Sequence, residues 1–297
     1  MILALVAREP TPTTLSLAAV GIPGVEIVPM TPVEALRRLR SGDAVLGRLD
    51  VRPTLDGVDD GLWALGVLAA RGVTVLNDAS ALLAAHDKLL TARLLRRAGL
   101  PHPVTRAVRG DRVGPTLAPP VVVKPRHGSW GSNVTLCETP DDLAAELLRI
   151  RGERWYAAHG ALVQELVPPK GHDLRLVVAG NRVVGCVRRV AAPGEWRTNV
   201  ALGARRVAAS APPEAIPMAL AAANEVAATL VGVDLLPTDD GFTIIEVNGA
   251  VEFTPEYRPE GEVFREAALE IVRAIEVARD TDEGYELVAT GTSPRLG

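Results

Sequence analysis

The first 80 or so residues alternate between strand-like and helical segments, and this order limits the possible folds more than any other feature. The strand-like runs are ILALVA (2–7), VEIVPM (25–30), AVLGRLD (44–50) and VTVLN (73–77). One intervening segment has Thr31 as a helix N-cap, Pro32 at the first helical position, Glu34 completing a capping box and Gly42 after the helix end. This βαβαβαβ order predicts a small, largely parallel sheet over residues 1–84.

The pattern changes in the remainder of the chain. Residues 85–160 combine an amphipathic helix, the short buried strand VVVKP and the loop RHGSWGSN, and we expect them to form a middle lobe. Strands joined by hairpin turns follow, with two covering helices, and they predict an antiparallel lobe over 161–282. Residues 283–297 are expected to be a disordered tail. The predicted fold class is α/β, with α+β lobes after the N-terminal domain.

Composition excludes several functional classes. The chain has 297 residues, and no apolar run approaches the ~20 residues that span a bilayer. Its net charge of −4 does not favour nucleic-acid binding. The opening MILALVAREPTP is typical of a first strand and not of a signal peptide. Cys137 and Cys186 lack metal-ligand spacing and are expected to be core residues, so the cytoplasm is the expected location.

Lysine is rare in this chain. Of 32 basic side chains, only Lys88, Lys124 and Lys170 are lysines. Genome composition or heat adaptation explains such a bias without any functional role. The alternative is that these three positions need a compact ammonium group, which a guanidinium cannot replace.

The strand TIIEVN (243–248) points a carboxylate and a carboxamide to one face, because side chains at i and i+2 of a strand share a face. Asp234 lies on the strand that pairs back through the preceding hairpin. Together with Glu246 and Asn248 it offers three hard oxygen ligands, a set that suits magnesium. The alternative is that Glu246 pairs with an arginine and Asn248 satisfies a turn.

Lys124 ends a buried strand and precedes RHGSWGSN, whose glycines allow backbone N–H groups to approach an anion. This arrangement is one way of holding polyphosphate. The order differs from that of a P-loop, in which the lysine ends the glycine-rich run. A lysine that extends from the strand end into solvent is the alternative.

Seven segments in a fixed order resemble the ATP-grasp superfamily, and within it the RimK-like carboxylate–amine ligases. The segments are HDKLLTARLLRRAGLPHP, VVVKPRHGSWGSN, LVQELV, GHDLRLVV, RRVAAPGEWRTN, VGVDLL and IIEVNGAVEF. GSWG and EVNGAVEF are most similar to the LysX-like, alpha-L-glutamate ligase branch. The resemblance implies an ATP-grasp fold with an N-terminal Rossmann-like pre-ATP-grasp domain.

The resemblance implies an ATP site with two phosphate-binding lysines, a mobile lid, an adenine-binding hinge and a ribose rim. The two lysines are Lys88 and Lys124, and the lid comprises His127, Gly128, Ser129, Trp130 and Gly131. The hinge comprises Gln164, Glu165, Leu166 and Val167, and the ribose rim comprises Lys170 and Asp173.

The resemblance also implies a metal and substrate site. Asp234, Glu246 and Asn248 would hold two Mg²⁺ ions, or Mn²⁺. Arg189 and Arg197 would neutralise the acceptor carboxylate and the transferred phosphate, and Asn199 would lie beside the transferred group. Arg175 would be either a substrate contact or structural. Glu252 and Phe253 would border the acceptor, with core packing as the alternative for Phe253. After Asn199 the chain reads VALGA where relatives have an arginine followed by two glycines, so the substrate pocket differs there.

The implied activity is ATP-dependent joining of a carboxylate to an amine through an acyl phosphate. A nucleotide-binding regulator and an ATP-grasp kinase are the alternatives. The expected partners are amino-acid or peptide substrates, with neither nucleic acid nor membrane, and the resemblance suggests a homodimer or tetramer. A cluster of arginines has two possible interpretations. It binds an anionic substrate or an acidic carrier protein, or it forms a solvated surface. Its members are Arg188, Arg189, Arg197, Arg205 and Arg206.

Overall fold

The computed structural model describes residues 1–110 and 117–290, with side chains up to residue 281. Three four- or five-stranded sheets organise the chain. Within the described residues, no helix has the length and apolarity needed to cross a bilayer. Cys137 and Cys186 are free and buried, which confirms their prediction as core residues.

The N-terminal sheet is parallel, as the alternating pattern predicts, with strand order β2-β1-β3-β4. Its elements are β1 (Ile2–Val6), α1 (Pro12–Ala18), β2 (Glu26–Met30), α2 (Pro32–Arg38), β3 (Ala44–Gly47), α3 (Leu62–Ala70), β4 (Thr74–Leu76) and α4 (Ala79–His86). The predicted capping box is present at α2, where Thr31 and Glu34 each bond the other's backbone N–H. Gly42 has φ +88°, a backbone conformation that favours glycine.

The middle sheet is antiparallel, with strand order β5-β8-β6-β7. Its elements are α5 (Lys88–Arg97), β5 (Thr105–Val108), β6 (Val121–Pro125), β7 (Thr135–Cys137), α6 (Pro140–Arg149), α7 (Arg154–His159) and β8 (Ala161–Glu165). The predicted boundary at residue 161 placed β8 in the C-terminal lobe. In the structure, β8 instead lies between β5 and β6 of the middle sheet, because its apolar pattern fits either sheet and only the pairing decides.

The C-terminal sheet is antiparallel, with strand order β11-β10-β9-β12-β13. Its elements are β9 (His172–Ala179), β10 (Arg182–Val190), β11 (Arg205–Ala208), α8 (Ala215–Glu225), β12 (Leu230–Thr238), β13 (Gly241–Asn248) and α9 (Val263–Thr290). Helix α9 continues to Thr290, so it enters the segment that was expected to be disordered from residue 283. Residues 291–297 lie outside the described part of the chain.

Asn77 ties the N-terminal sheet to the C-terminal one. It follows β4, is buried, and donates through Nδ2 to the carbonyl oxygens of Leu230 (2.7 Å) and Gly249 (3.3 Å). Its Oδ1 accepts from the backbone N–H groups of Thr229 and Leu230. The carboxyl edge of the parallel sheet, where ligands bind in open α/β sheets, therefore lies against the start of β12 and the end of β13.

Candidate active site

A cleft between the middle and C-terminal sheets brings most of the predicted site residues together. It encloses about 930 Å³, including its open mouth. The predicted residues that line it are Lys88, Lys124, Gly128, Ser129, Trp130, Gly131, Gln164, Glu165, Leu166, Val167, Asp173, Arg189, Arg197, Asn199, Asp234 and Glu246.

Lys124 lies on the floor of this cleft at the end of β6 and is only 6% exposed. Its Nζ donates to Oε1 of Gln164 at 2.7 Å, and Nε2 of Gln164 donates to the Thr105 hydroxyl at 2.7 Å. Gln164 is thereby fixed with its carbonyl oxygen towards the ammonium group. Burial lowers the pKa of Lys124 to about 8, and the positive charge of Lys88 adds to the shift. Any anion that enters the cleft would therefore stabilise the charged form of this ammonium group.

Lys88 connects the lid to the strand β13. It is the first residue of α5, whose N-cap Asp87 accepts from the first-turn N–H groups and forms a two-bond ion pair with Arg126. The Lys88 Nζ lies 2.8 Å from Oε1 of Glu246 and donates to the carbonyl oxygen of Gly128 at 2.5 Å. One ammonium group therefore reaches the lid base and the predicted metal site at once.

A buried charge network lies under the cleft, on β9, β10 and β12. Arg189 donates through Nε to Asp173 at 2.8 Å and through Nη2 to both Asp173 and Asp234. Arg175 makes two bonds of 2.6 Å to the oxygens of Asp234. Although burial opposes ionisation, the guanidinium groups of Arg175 and Arg189 hold the pKa of Asp234 at about 2. Two arginines and two aspartates thus compensate each other inside the fold.

The predicted metal ligands form a partial match to a divalent cation. Asp234 and Glu246 lie directly opposite each other on β12 and β13, as the hairpin predicts, and Asn248 has a buried Nδ2 without a hydrogen-bond partner. Glu246 pairs with Lys88 and not with an arginine. Asp234 already accepts three guanidinium bonds and has about one lone-pair position left. A cation would therefore be held mainly by the carboxylate of Glu246 and the amide oxygen of Asn248.

This match rests on two carboxylates and one amide. In the described part of the chain, no three His, Cys, Asp or Glu side chains come together in a metal-binding group. A site with so few protein ligands suits Mg²⁺, which keeps several waters and shares phosphate oxygens.

The lid contacts the segment that contains Arg197 and Asn199. Arg197 pairs with Glu195 through bonds of 2.9 and 2.8 Å, and its Nη1 donates to the carbonyl oxygens of Gly131 and Val134. Gly131 has φ +75°, and a Cβ there would lie 2.7 Å from Oδ1 of Asn199. Only glycine therefore allows the lid to approach Asn199 this closely.

Two predicted ATP-site residues point elsewhere. His127 packs edge-on against His159, with ring centroids 4.7 Å apart, and does not line the cleft. It lies two residues after the end of β6 and is buried. Lys170, assigned by the resemblance to the ribose rim, is exposed, pairs with Asp239 at 2.5 Å and does not line the cleft.

Glu252 and Phe253, the predicted substrate contacts, make hydrogen-bonding and packing contacts within the fold. Phe253 is 2% exposed and stacks on Phe264 at 4.9 Å, which agrees with the core-packing alternative. Glu252 borders a second cavity, but its oxygens accept from Arg48 at 2.6 Å and from the Thr11 hydroxyl at 2.7 Å. It therefore joins the N-terminal sheet to the C-terminal lobe.

The second cavity contains residues that were absent from the predicted site. Asp50 and His86 come from the N-terminal sheet and its last helix, and Arg206 comes from β11. Asp50 follows the carboxyl end of a parallel strand, which is a sequence signal for a ligand site. His86 directly precedes the Asp-Lys pair that starts α5, and Arg206 belonged to the predicted arginine cluster. Arg175 lines this cavity as well.

The sequence matches a family model over most of its length. The model of the RimK-like ATP-grasp domain matches residues 85–275. The chain is 32% identical over 218 residues to a Pseudomonas paraeruginosa protein named "Probable alpha-L-glutamate ligase", covering 71% of this chain and 70% of that protein. It is 33% identical over 220 residues to the Shigella boydii "Ribosomal protein bS6--L-glutamate ligase", covering 72% and 71%.

Solved structures share the fold across nearly the whole chain. The ATP complex of D-alanine–D-alanine ligase from Bacillus anthracis has a TM-score of 0.69 at 16% identity, covering 95% of this chain and 99% of that one. A RimK domain ATP-grasp protein from Sphaerobacter thermophilus has a TM-score of 0.64 at 22% identity, covering 92% and 100%. At these identities the likeness establishes the ATP-grasp fold.

Proposed function

Because this chain belongs to the RimK-like ATP-grasp family of ligases, we propose that it joins a carboxylate to an amine at the cost of ATP, with ADP and phosphate as products. The observation that carries the proposal is the arrangement of Lys88, Lys124 and Glu246 around one cleft. Two ammonium groups suit a polyphosphate, and the carboxylate on β13 suits the cation that accompanies it.

The proposed reaction follows from the weakness of a carboxylate as an electrophile. A carboxylate oxygen attacks the γ-phosphorus of ATP, and the bond from that phosphorus to ADP breaks, which gives an acyl phosphate. An amine then attacks the carbonyl carbon, phosphate leaves with its oxygen, and the amine loses a proton. Positioning and charge stabilisation suffice for both steps, so no nucleophilic side chain is needed.

Several side chains of the cleft have a role in the proposed reaction. Lys124, held by Gln164, binds a phosphate group from the floor, and Lys88 binds one from the lid side. Arg189 is held by Asp173 and Asp234, so its guanidinium is fixed in place before substrate enters. Arg197 holds the lid through the Gly131 carbonyl, which excludes water from the transferred group. Asn199 contacts the same glycine.

Glu246 and Asn248, with the remaining lone pair of Asp234, would hold Mg²⁺. When bound, the ion neutralises charge on the triphosphate and on the phosphoryl group in transfer. Glu246 would then exchange its contact with Lys88 for the ion, and this would release the lysine towards phosphate.

The names of the relatives suggest the substrates. Both curated relatives are named as L-glutamate ligases, and one of them acts on a ribosomal protein by its name. We propose L-glutamate or another amino acid as one substrate, and a small molecule, a peptide or a protein carboxylate or amine as the other. An acidic carrier protein, a cytoplasmic location and a homodimer or tetramer remain part of the proposal.

The proposal is tested by incubating the protein with Mg-ATP, the twenty amino acids, dicarboxylates and dipeptides, while ADP and new masses are followed. A product equal to two substrates minus water, formed together with ADP, supports the ligase. A stable phosphorylated product that forms without an amine would indicate a kinase, and nucleotide binding without ADP from any mixture would indicate a regulator. Glu246→Ala should abolish turnover, whereas the exposed Glu9→Ala should leave it unchanged.

A further inference from the structure

The second cavity lies between the N-terminal sheet and the C-terminal lobe, beside the ATP cleft. Its empty space, counted together with its open mouth, is about 660 Å³. Glu246 and Arg189 line both spaces, so a molecule in this cavity is next to the proposed phosphoryl-transfer site. Most of its charged groups are already paired: Arg175 with Asp234, and Glu252 with Arg48.

Arg206 carries a positive charge that the described residues do not neutralise. It lies directly opposite Arg189 on the neighbouring strand, so both side chains share the face that borders the cavity. Like charges in this position repel each other. Arg189 is compensated by Asp173 and Asp234, whereas among the described side chains no carboxylate pairs with Arg206, and its buried Nε has no hydrogen-bond partner. The strand face that carries Arg206 can therefore bind an anion.

Asp50 supplies the opposite charge from the N-terminal side of the cavity. Its carboxylate is half exposed and lies 3.5 Å from Nδ1 of the buried His86. Two further nitrogens of cavity-lining residues, His86 Nε2 and Asn248 Nδ2, are buried without partners. Because buried polar atoms normally have partners, the two nitrogens favour a ligand with acceptor oxygens. The Asp50 carboxylate favours a ligand that also has a cationic group.

We infer that the second cavity binds the amino-acid substrate as a zwitterion, with its carboxylate on Arg206 and its ammonium group on Asp50. This inference rests on the proposed ligase function and adds the substrate class and the residues that select it. A free carboxylate and a free amino group are both required. Amidation leaves Arg206 without an anion, and acylation of the amine leaves Asp50 without a cation, so both kinds of derivative are rejected.

Ligand binding tests the inference separately from turnover. The thermal midpoint of the protein is measured with Mg-ADP and each of the twenty amino acids, then with the amide and the N-acetyl derivative of each. At least one free amino acid should raise the midpoint, and its two derivatives should not. If no amino acid raises it, or if the derivatives do so equally, the inference is wrong. An amino acid that binds but supports no ADP release from any mixture would contradict the ligase proposal and leave the cavity assignment intact.

Variants of neighbouring arginines identify the carboxylate-binding residue. Arg206→Gln should weaken amino-acid binding by about 10- to 100-fold, the effect of losing a hydrogen bond to a charged group, and should leave Mg-ADP binding unchanged. Arg206→Lys should recover part of the loss because it keeps the charge. Arg205→Gln is the matched control, since Arg205 is exposed and alternates to the other face of β11. An unchanged affinity in Arg206→Gln, or an equal loss in Arg205→Gln, would overturn the assignment.

Discussion

Replacing Lys124 with methionine should stabilise the nucleotide-free protein and weaken ATP binding. The ammonium group is buried, and its pKa is lowered from 10.5 to about 8, so at pH 7 the fold holds it charged at a cost. One pKa unit corresponds to about 1.4 kcal/mol, which makes this cost about 3 kcal/mol. Methionine has a similar length and no charge, but it leaves Oε1 of Gln164 without its donor, a loss of about 1–2 kcal/mol. We expect a net gain of about 1–2 kcal/mol.

The pH dependence of the free energy of unfolding tests independently whether the buried ammonium group destabilises the fold. Between pH about 8 and 10.5 the unfolded wild-type chain binds more protons at this position than the folded one, so wild-type stability should rise with pH there. Lys124→Met lacks this rise. Its advantage should therefore be largest at pH 7 and small at pH 10.

Urea unfolding of both proteins at pH 7 and pH 10, without nucleotide, measures the difference. ATP affinity is measured in parallel and should fall at least tenfold in Lys124→Met, because a charge-assisted contact is lost. Lys124→Arg is the control that keeps a charge. A Lys124→Met protein that is less stable than wild type by 1 kcal/mol or more at pH 7 would show that the buried ammonium group does not destabilise the fold. Normal ATP binding by this variant would show that Lys124 does not bind phosphate.

Three further variants test other parts of the structure. Phe253→Ala should lower the free energy of unfolding by about 3–5 kcal/mol and leave the Michaelis constants nearly unchanged, since the ring lies in the core; a selective rise in a substrate's Michaelis constant would show that it contacts substrate. Asn77→Ala should cost about 3 kcal/mol in urea unfolding, because it leaves buried backbone groups unpaired; a loss below 1 kcal/mol would contradict its joining role. Gly131→Ala should reduce turnover more than stability, since its Cβ would displace Asn199; normal turnover would contradict the described lid contact.

The sequence predicted the elements of the fold better than their grouping. Alternating strand and helix signals predict a parallel sheet because each crossover needs its own helix, and the structure confirms the sheet. The position of β8 could not be predicted in the same way. Its apolar run would fit either antiparallel sheet, and hydrogen-bond pairing between segments distant in sequence decides.

Site residues were predictable where the backbone alone fixes their direction. Asp234 and Glu246 are cross-strand neighbours, so the hairpin brings them together. The partners of each charge were not predictable, because Arg175 and Arg189 reach Asp234 through long side chains whose rotamers depend on the packed sheet. Asp50 was absent from the predicted site since it comes from another sheet, and its place depends on how the lobes pack.

In the proposed reaction a carboxylate is activated by phosphorylation and then joined to an amine. The most direct test uses substrates with ¹⁸O in their carboxylates, in the same mixtures with Mg-ATP, and measures the mass of the phosphate released. The acyl-phosphate route predicts that each phosphate carries one labelled oxygen and that one amide forms for each ADP. Unlabelled phosphate released with ADP would show that water, and not a substrate carboxylate, receives the phosphoryl group. That result would rule out the acyl-phosphate route.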